Sequence, residues 1–375
     1  MTQPIRPRFG IDARWLTEGP PSGRNYVRHL LAEFEAGPNP TEYVAFVRSR
    51  GHVKSDAPGL IRAVPVPSMP AILFNSVGIA ARLPGSVRSV AYQNFTPPLS
   101  RVGSVTVVHD LIFLTHPEYF RRAERLYLSL IARLLPRATV VAAVSSHVRD
   151  EVLDRWPGRD PASVVVAPNG VDEGLLRAAA GPSDPDAERL TLARLGVSRP
   201  YVLYVGRLNV RKNLSRLISA FAAARLADFQ LVLVGPSDAS NGDLAAHAEG
   251  LGLRDRVTFT VRVADDDLPA LLRHASAFAY VSLEEGFGVP PLEAMAFGIP
   301  VVCSDIPALR ETAAAGGALF AQPLDVDNIA ECLTRAVTDE AFVATAKRLG
   351  PAHAGRYRWK ATATALHGAL ERAAK

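Results

Sequence analysis

Between Glu285 and Glu293 the chain reads Glu-Gly-Phe-Gly-Val-Pro-Pro-Leu-Glu, two carboxylates eight positions apart around a glycine-rich bend. Gly286 and Gly288 free the backbone for close approach to a ligand, because a residue without Cβ tolerates unusual dihedrals. Pro290 and Pro291 suit the start of a helix, where a missing N–H costs little. Apolar residues 292–297 continue that helix, and Gly298-Ile299-Pro300 closes it. The unpaired N–H groups of such a start favour an anion. A loop glutamate, free N–H groups and a glutamate in the first helical turn suit one ligand that is rich in hydroxyls and carries phosphate.

A second cluster precedes it. Val205-Gly206-Arg207-Leu208 ends an apolar run, and Lys212-Asn213 follows where a helical pattern begins. Two cations beside a helix start can hold a diphosphate, Lys as a point charge and Arg as a planar fork. Taken alone, the same residues also read as solvated surface cations. The glutamate motif in the same half of the chain favours the diphosphate. In the first half, Val105-Thr106-Val107-Val108 leads into His109-Asp110. A histidine there can donate a hydrogen bond to a sugar hydroxyl, with the aspartate orienting it; a core histidine with a carboxylate partner is the alternative. Ser22-Gly23-Arg24-Asn25-Tyr26 opens a helix after a Gly-Pro-Pro-Ser-Gly loop, whose N–H groups can cradle phosphate.

Other chemistries fit less well. No GxGxxG or GxxxxGK[ST] is present, so a nicotinamide-type dinucleotide and a P-loop are disfavoured. Asp184-Pro185-Asp186 and Asp265-Asp266-Asp267 have the look of metal-binding acidic elements. The first falls in a presumed linker and the second precedes a helical run, so both read as structural, the second as helix caps. No metal is expected, with Arg207 and Lys212 neutralising the ligand's charge instead. The basic, amphipathic stretch 119–137 reads as a packed helix with a solvated arginine face, or as a contact with an acidic membrane surface.

The elements that position these residues are short apolar strands alternating with amphipathic helices, the signature of doubly wound α/β architecture. Strands are predicted at 8–12, 43–47, 61–64, 105–109, 139–144 and 164–166, with helices near 24–34, 123–135 and 146–154. A second series has strands at 201–205, 230–234, 257–260, 277–280 and 301–302, with helices at 213–224 and 243–250. Residues 178–188, with a Gly-Pro-Ser-Asp-Pro-Asp core, read as a mobile connector. The expected domains are 1–177 with 355–375, and 190–354, joined by a linker at 178–189. Ligands of open α/β sheets bind beyond the carboxyl ends of the strands.

Bulk properties agree. At 375 residues two domains are the default. The +5 formal charge comes without a Lys/Arg block, so nucleic-acid binding is not expected. Cys303 and Cys332, the only cysteines, make neither a CxxC nor a zinc spacing. Residues 1–8 lack the apolar core of a signal peptide, and no apolar run approaches the ~20 residues of a membrane span. A cytoplasmic protein is expected, peripheral to a membrane at most.

Taken in order, these pieces resemble the retaining family 4 glycosyltransferases of the GT-B fold, and in particular their bacterial mannosyltransferase-like members. The resemblance runs from Gly10-Ile11-Asp12-Ala13-Arg14 through Val108-His109-Asp110-Leu111, Ala143-Val144-Ser145 and Pro168-Asn169-Gly170-Val171-Asp172. It continues through Tyr204-Val205-Gly206-Arg207 and Lys212-Asn213 to the Glu285–Glu293 motif, which matches the family's Glu-x7-Glu signature with its Gly-Phe-Gly interior. Arg358-Trp359-Lys360 resembles the start of the family's last helix.

The fold this implies is α/β: two Rossmann-like domains with a cleft between them and a C-terminal helix crossing back to the first. The resemblance further implies that Arg207 and Lys212 hold the diphosphate of a nucleotide-sugar donor and that Glu293 binds its ribose. Glu285, with Gly286, Phe287 and Gly288, would hold the sugar's hydroxyls; His109 would contact that sugar, and Asp110 would line the acceptor side. Two departures stand out. The Ser22–Tyr26 loop containing Gly23 is one residue shorter than the family's usual form. Arg262, in Val261-Arg262-Val263, stands where the nucleotide base is commonly met and the family usually reads Gly-Tyr-Val.

The expected activity is metal-independent, retaining transfer of a hexose, with GDP-mannose favoured. The acceptor would be a hydroxyl on a saccharide, a lipid-linked saccharide or a small natural product. A sugar-nucleotide epimerase on the same fold and a non-catalytic sugar-nucleotide-binding protein are the alternatives. Oligomeric state has no signature.

Overall fold

The structure is a computed structural model that describes residues 8–38, 42–48, 61–70, 73–237, 242–261 and 263–375. The chain forms two compact units, one of residues 1–170 with 359–375 and the other of residues 171–358.

The first unit is built on seven parallel strands: β1 (Phe9–Asp12), β2 (Tyr43–Arg48), β3 (Arg62–Val66), β4 (Ser89–Gln93), β5 (Gly103–Val108), β6 (Val140–Ala143) and β7 (Val164–Val166). Their order across the sheet is β3-β2-β1-β4-β5-β6-β7. Inner strands β1, β4 and β6 are buried along their whole length, and β2 and β5 at all but one end residue, as a parallel sheet covered on both faces requires. Edge strand β3 instead exposes Arg62, Ala63 and Pro65, and an edge tolerates a proline that cannot donate to the ladder.

The last helix, Trp359–Ala373, belongs to this unit and buries Trp359, Thr362, Leu366, Ala369 and Leu370, one face at helical spacing. Ser89 Oγ donates to the carbonyl of Leu370 at 2.7 Å, and the Thr362 hydroxyl donates to that of Pro168. Gly103 and Gly170 allow the approach: a Cβ on Gly103 would lie 1.7 Å from the Ala373 carbonyl oxygen, and one on Gly170 2.5 Å from Trp359 N.

The second unit has six parallel strands, β8 (Tyr201–Val205), β9 (Gln230–Val234), β10 (Val257–Thr260), β11 (Ala277–Tyr280), β12 (Val301–Ser304) and β13 (Leu319–Ala321), in the order β10-β9-β8-β11-β12-β13. Strand order thus reverses between β1 and β4 in one sheet and between β8 and β11 in the other. Beyond the carboxyl ends of such a pair lies the crevice where open α/β sheets bind ligands. Both sheets are therefore Rossmann-like. Among the described residues no helix is long and apolar enough to cross a membrane.

Several local expectations are corrected. Residues 178–188 are not a mobile connector: they end the Glu173–Ala180 helix and begin the Pro185–Arg194 helix. Asp184 caps the latter, its Oδ1 accepting from the N–H of Asp186 and of Ala187. The units meet in sequence at Gly170–Val171 and Arg358–Trp359 rather than in that stretch. Strands β4 and β13 had no counterpart among the predicted elements. The early helix begins at Pro21, so Gly23 sits within its first turn and not in the loop before it.

Candidate functional site

The crevice beside β8 and β11 collects the charged residues of the second unit. After β8 the chain turns through Gly206, and Tyr204 donates its hydroxyl to the carbonyl of Arg207 at 3.0 Å, holding that loop. The side chain of Arg207 is exposed and makes no hydrogen bond or ion pair with the described residues. A short turn, Val210–Lys212, follows and ends on Asn213 in the left-handed conformation, φ 59°. Asn213 Nδ2 donates to the carbonyls of Val281 and Pro323, at 3.0 and 2.6 Å, tying the turn to the far side of the sheet.

Lys212 is buried, 6% exposed, which removes the alternative reading of a solvated surface cation. Its Nζ donates to Glu285 Oε1 and to the Tyr280 hydroxyl, the latter at 2.5 Å, and lies 4.5 Å from the Tyr280 ring centre. Arg211 Nη1 is 2.8 Å from the other carboxylate oxygen, Glu285 Oε2, and donates to the Glu284 carbonyl at 2.6 Å. Burial alone would raise the Glu285 carboxyl, but Arg211 and then Lys212, with the Lys212 hydrogen bond, outweigh it and hold the group down at about 2. Glu285 is an anion at any physiological pH.

The loop past Glu285 ends on Gly288, whose φ of 96° makes it the left-handed residue preceding the Val289–Ala296 helix. Thr312 Oγ1 donates to the Phe287 carbonyl at 3.0 Å, fixing the loop from behind. Glu293 is the fifth residue of this helix, at the start of its second turn and not within the first. Burial, and secondarily the charge of Asp172, push its carboxyl up to about 7. The two glutamates of the motif are thus shifted in opposite directions. Arg211 and Lys212 both stand on Glu285, and Arg207 adds an exposed cation on the same strand-end loop, where an anionic ligand can reach it. A hollow of about 180 Å³ lies nearby at the ends of β8, β9 and β10, lined by Leu208, Gly235, Ser237, Asp243, Phe259 and Val261. Arg262, expected at the base, lies outside the described residues. A larger hollow, about 400 Å³, sits at the far end of the Val289–Ala296 helix around Phe297 and Lys347 and holds none of the charged residues above.

In the first unit the corresponding crevice beside β1 and β4 holds Asp12, Arg14, Gln93 and His109. Asp12 is fully buried and accepts from Arg14 Nε at 3.1 Å, while Arg14 Nη2 donates to the Gln93 carbonyl at 3.4 Å. His109 Nε2 stands 3.1 Å from Gln93 Oε1, and the ring packs between Tyr26, 4.8 Å away and edge-on, and Trp15, at 5.2 Å. Burial pushes His109 down to about 4, so it is a neutral imidazole at pH 7. The group that orients its ring is Gln93, whereas Asp110 accepts from the N–H of Ile112 at 3.4 Å. Gly23 faces the Trp15 indole, and a Cβ there would lie 2.5 Å from it, so packing by itself already requires a glycine at this position.

Sequence reading missed Arg211, Tyr280 and Gln93. Arg211 adjoins the expected lysine, but its partner lies 74 positions on, and only the fold brings the two together.

A parallel sheet with a cationic crevice at its switch point, next to a glycine loop bearing an ionised glutamate, defines a Rossmann-like unit for a phosphorylated, hydroxyl-bearing ligand. Comparison with known proteins narrows the class. The family described as Glycosyl transferases group 1 matches residues 194–354, and that described as Glycosyltransferase Family 4 matches residues 25–175. The chain is 29% identical over 272 residues to O-antigen chain mannosyltransferase B of Escherichia coli, covering 71% of this chain and 70% of that protein. It is 32% identical over 280 residues to the serotype-specific mannosyltransferase WbdA of Escherichia coli, covering 72% of this chain but only 33% of that longer protein. Among solved structures, Anabaena HepE in complex with UDP and glucose shares the fold at TM-score 0.73 and 20% identity, covering 98% of this chain and 100% of that one. The chain belongs to the family 4 glycosyltransferases and is a hexosyltransferase of that mannosyltransferase-like type.

Proposed function

We propose that the second unit binds a nucleoside-diphosphate hexose, with mannose favoured, and that the enzyme transfers the sugar with retention and without a metal to a hydroxyl acceptor. One observation carries this reading: Glu285 is clamped between Arg211 and Lys212 at the switch-point crevice, with exposed Arg207 beside it. Arg207 and Lys212 would take the diphosphate and stabilise the charge that develops as it leaves. Glu285 would accept from the sugar's hydroxyls, Glu293 from the ribose, and the hollow beside Phe259 would take the base. His109, a neutral imidazole, would hydrogen-bond the donor sugar, and Asp110 would belong to the acceptor side.

The same clamp argues against acid–base work by Glu285, since a carboxyl held at about 2 is a poor proton acceptor at pH 7. Same-face attack, with the leaving phosphate taking the acceptor's proton, needs no protein nucleophile and fits that chemistry. The mannosyltransferase relatives support mannose. They also support a growing saccharide as acceptor, lipid-linked or free, ahead of a small natural product.

The test is a transfer assay with purified protein, a nucleotide-sugar panel and saccharide acceptors. Lys212→Ala and Glu285→Ala should each reduce turnover about 100-fold or more, the scale of losing one group that stabilises developing charge, while the variants stay folded. EDTA should leave the rate unchanged. Full activity in either variant overturns the site assignment, and loss of activity with EDTA overturns metal independence. Conversion of donor to an epimer without acceptor would replace transfer by epimerisation.

A further inference from the structure

Arg211 is bound to the motif loop at three places. Its main-chain carbonyl accepts from the N–H of Leu283 at 2.8 Å. Its Nη1 donates to the Glu284 carbonyl at 2.6 Å and is 2.8 Å from Glu285 Oε2. Arg211 thus makes three of the contacts that reference the loop between β11 and the Val289–Ala296 helix to the turn that follows β8, beside those of Lys212 and Asn213. Lys212 takes the opposite oxygen, Oε1, and also binds Tyr280. The two cations hold Glu285 in different ways. Arg211 fixes the carboxylate relative to its own backbone, whereas Lys212 fixes it relative to the sheet.

We propose that Arg211 is the positioning residue of the donor site, aiming the Glu285 carboxylate at the sugar so that recognition of the hexose, and not of the diphosphate, depends on it. The proposal rests on the donor reading given above. Its physical basis is the division of labour on the carboxylate. When a diphosphate arrives, Lys212 must share its charge between that anion and Glu285, and attraction to the glutamate weakens accordingly. Arg211, bonded to the loop itself, keeps Oε2 in place through that change, so the accepting lone pairs of Glu285 stay directed at the hydroxyls. A planar guanidinium can satisfy the Glu284 carbonyl and Glu285 together, where an ammonium on a flexible stem holds them less firmly.

Titration calorimetry on the full chain separates this role from phosphate binding. The probes are GDP with GDP-mannose, and UDP with UDP-glucose; the pair that the wild type binds is then used for the variants. Arg211→Ala should weaken the sugar nucleotide roughly tenfold or more, as for loss of a hydrogen bond to a charged group, while the bare nucleoside diphosphate changes less than about twofold on the same scale. Arg211→Lys should recover part of the lost affinity, and it carries the test if the alanine variant does not fold. Equal loss for the two probes makes Arg211 a diphosphate ligand and overturns the proposal, as does unchanged affinity for both. Failure of the wild type to bind either pair overturns the donor reading instead, a result distinct from any seen in the variants.

Discussion

Glu285 and Glu293 are the same residue type on one motif, yet their surroundings set them to opposite tasks. Glu285 has two cations on its oxygens and stays ionised; Glu293 is half-buried with no ion pair among the described residues, and desolvation, with Asp172, raises its carboxyl to about 7. If Glu293 accepts hydrogen bonds from a ribose through its anion, nucleotide binding must drive off a proton below that value. Affinity for the nucleoside diphosphate should then fall about tenfold between pH 8 and pH 6, the slope steepening toward about tenfold per unit at lower pH. Glu293→Gln should flatten that dependence and bind more weakly at pH 8. A wild-type profile that is level from pH 8 to 6 would remove Glu293 from the ribose. Stability runs the other way: the folded protein holds this proton more tightly than the unfolded chain, so Glu293 disfavours folding progressively as pH rises from about 4.5 to 7.

At the scale of elements, the site is made by two strand ends and the loops that leave them. Gly288 closes the motif loop at φ 96°, and a Cβ there would lie 2.4 Å from Leu309 Cδ2. Gly288→Ala should cost about 1–3 kcal/mol of stability for a left-handed non-glycine residue. Because the loop must shift to relieve it, affinity for the sugar nucleotide should also fall, by about tenfold for a displaced hydrogen bond to Glu285. A melting temperature and affinity both equal to wild type would show that the loop tolerates another backbone path. The motif and its helix were legible in the sequence because glycine, proline and an apolar run are local signals, and β5, β8, β9 and β11 stood out as apolar runs for the same reason.

Other elements were not legible in this way. β4 reads Ser-Val-Ala-Tyr-Gln, too short and too polar at its ends to declare itself, although all five residues are buried once β1 and β5 flank it. Residues 178–188 have the composition of a loop, but a single Asp184 cap is enough to start a helix there. Gly23 has a packing reason to be glycine that the sequence does not show, the Trp15 ring that takes up the space of its Cβ. The clamp on Glu285 was not legible, with Lys212 expected on a diphosphate and Arg211 not singled out, since ion pairs over 70 positions have no local pattern.

For the whole molecule, the order of the chain and the division into units disagree, and that disagreement has consequences. Residues 171–358 form one unit from continuous chain, whereas the first unit is completed only by residues 359–375 at the end. The Trp359–Ala373 helix buries Trp359, Leu366 and Leu370 in that unit, at 5, 0 and 0% exposure. Three such side chains at about 1.5–3 kcal/mol each amount to about 5–9 kcal/mol, comparable to the whole margin of about 5–15 kcal/mol that keeps a domain folded. A fragment of residues 1–170 should therefore lack a cooperative melting transition, and fusing residues 359–375 to it through a flexible linker should restore one. The fragment 171–358 should melt cooperatively without help. Since Arg207, Arg211, Lys212, Glu285 and Glu293 all lie within it, it should bind nucleoside diphosphate with an affinity within a few-fold of the full chain and yet transfer no sugar, because His109 and Asp110 are absent. Cooperative folding of 1–170 alone would reduce the last helix to an accessory, and loss of nucleotide binding by 171–358 would mean that the first unit contributes to holding the nucleotide.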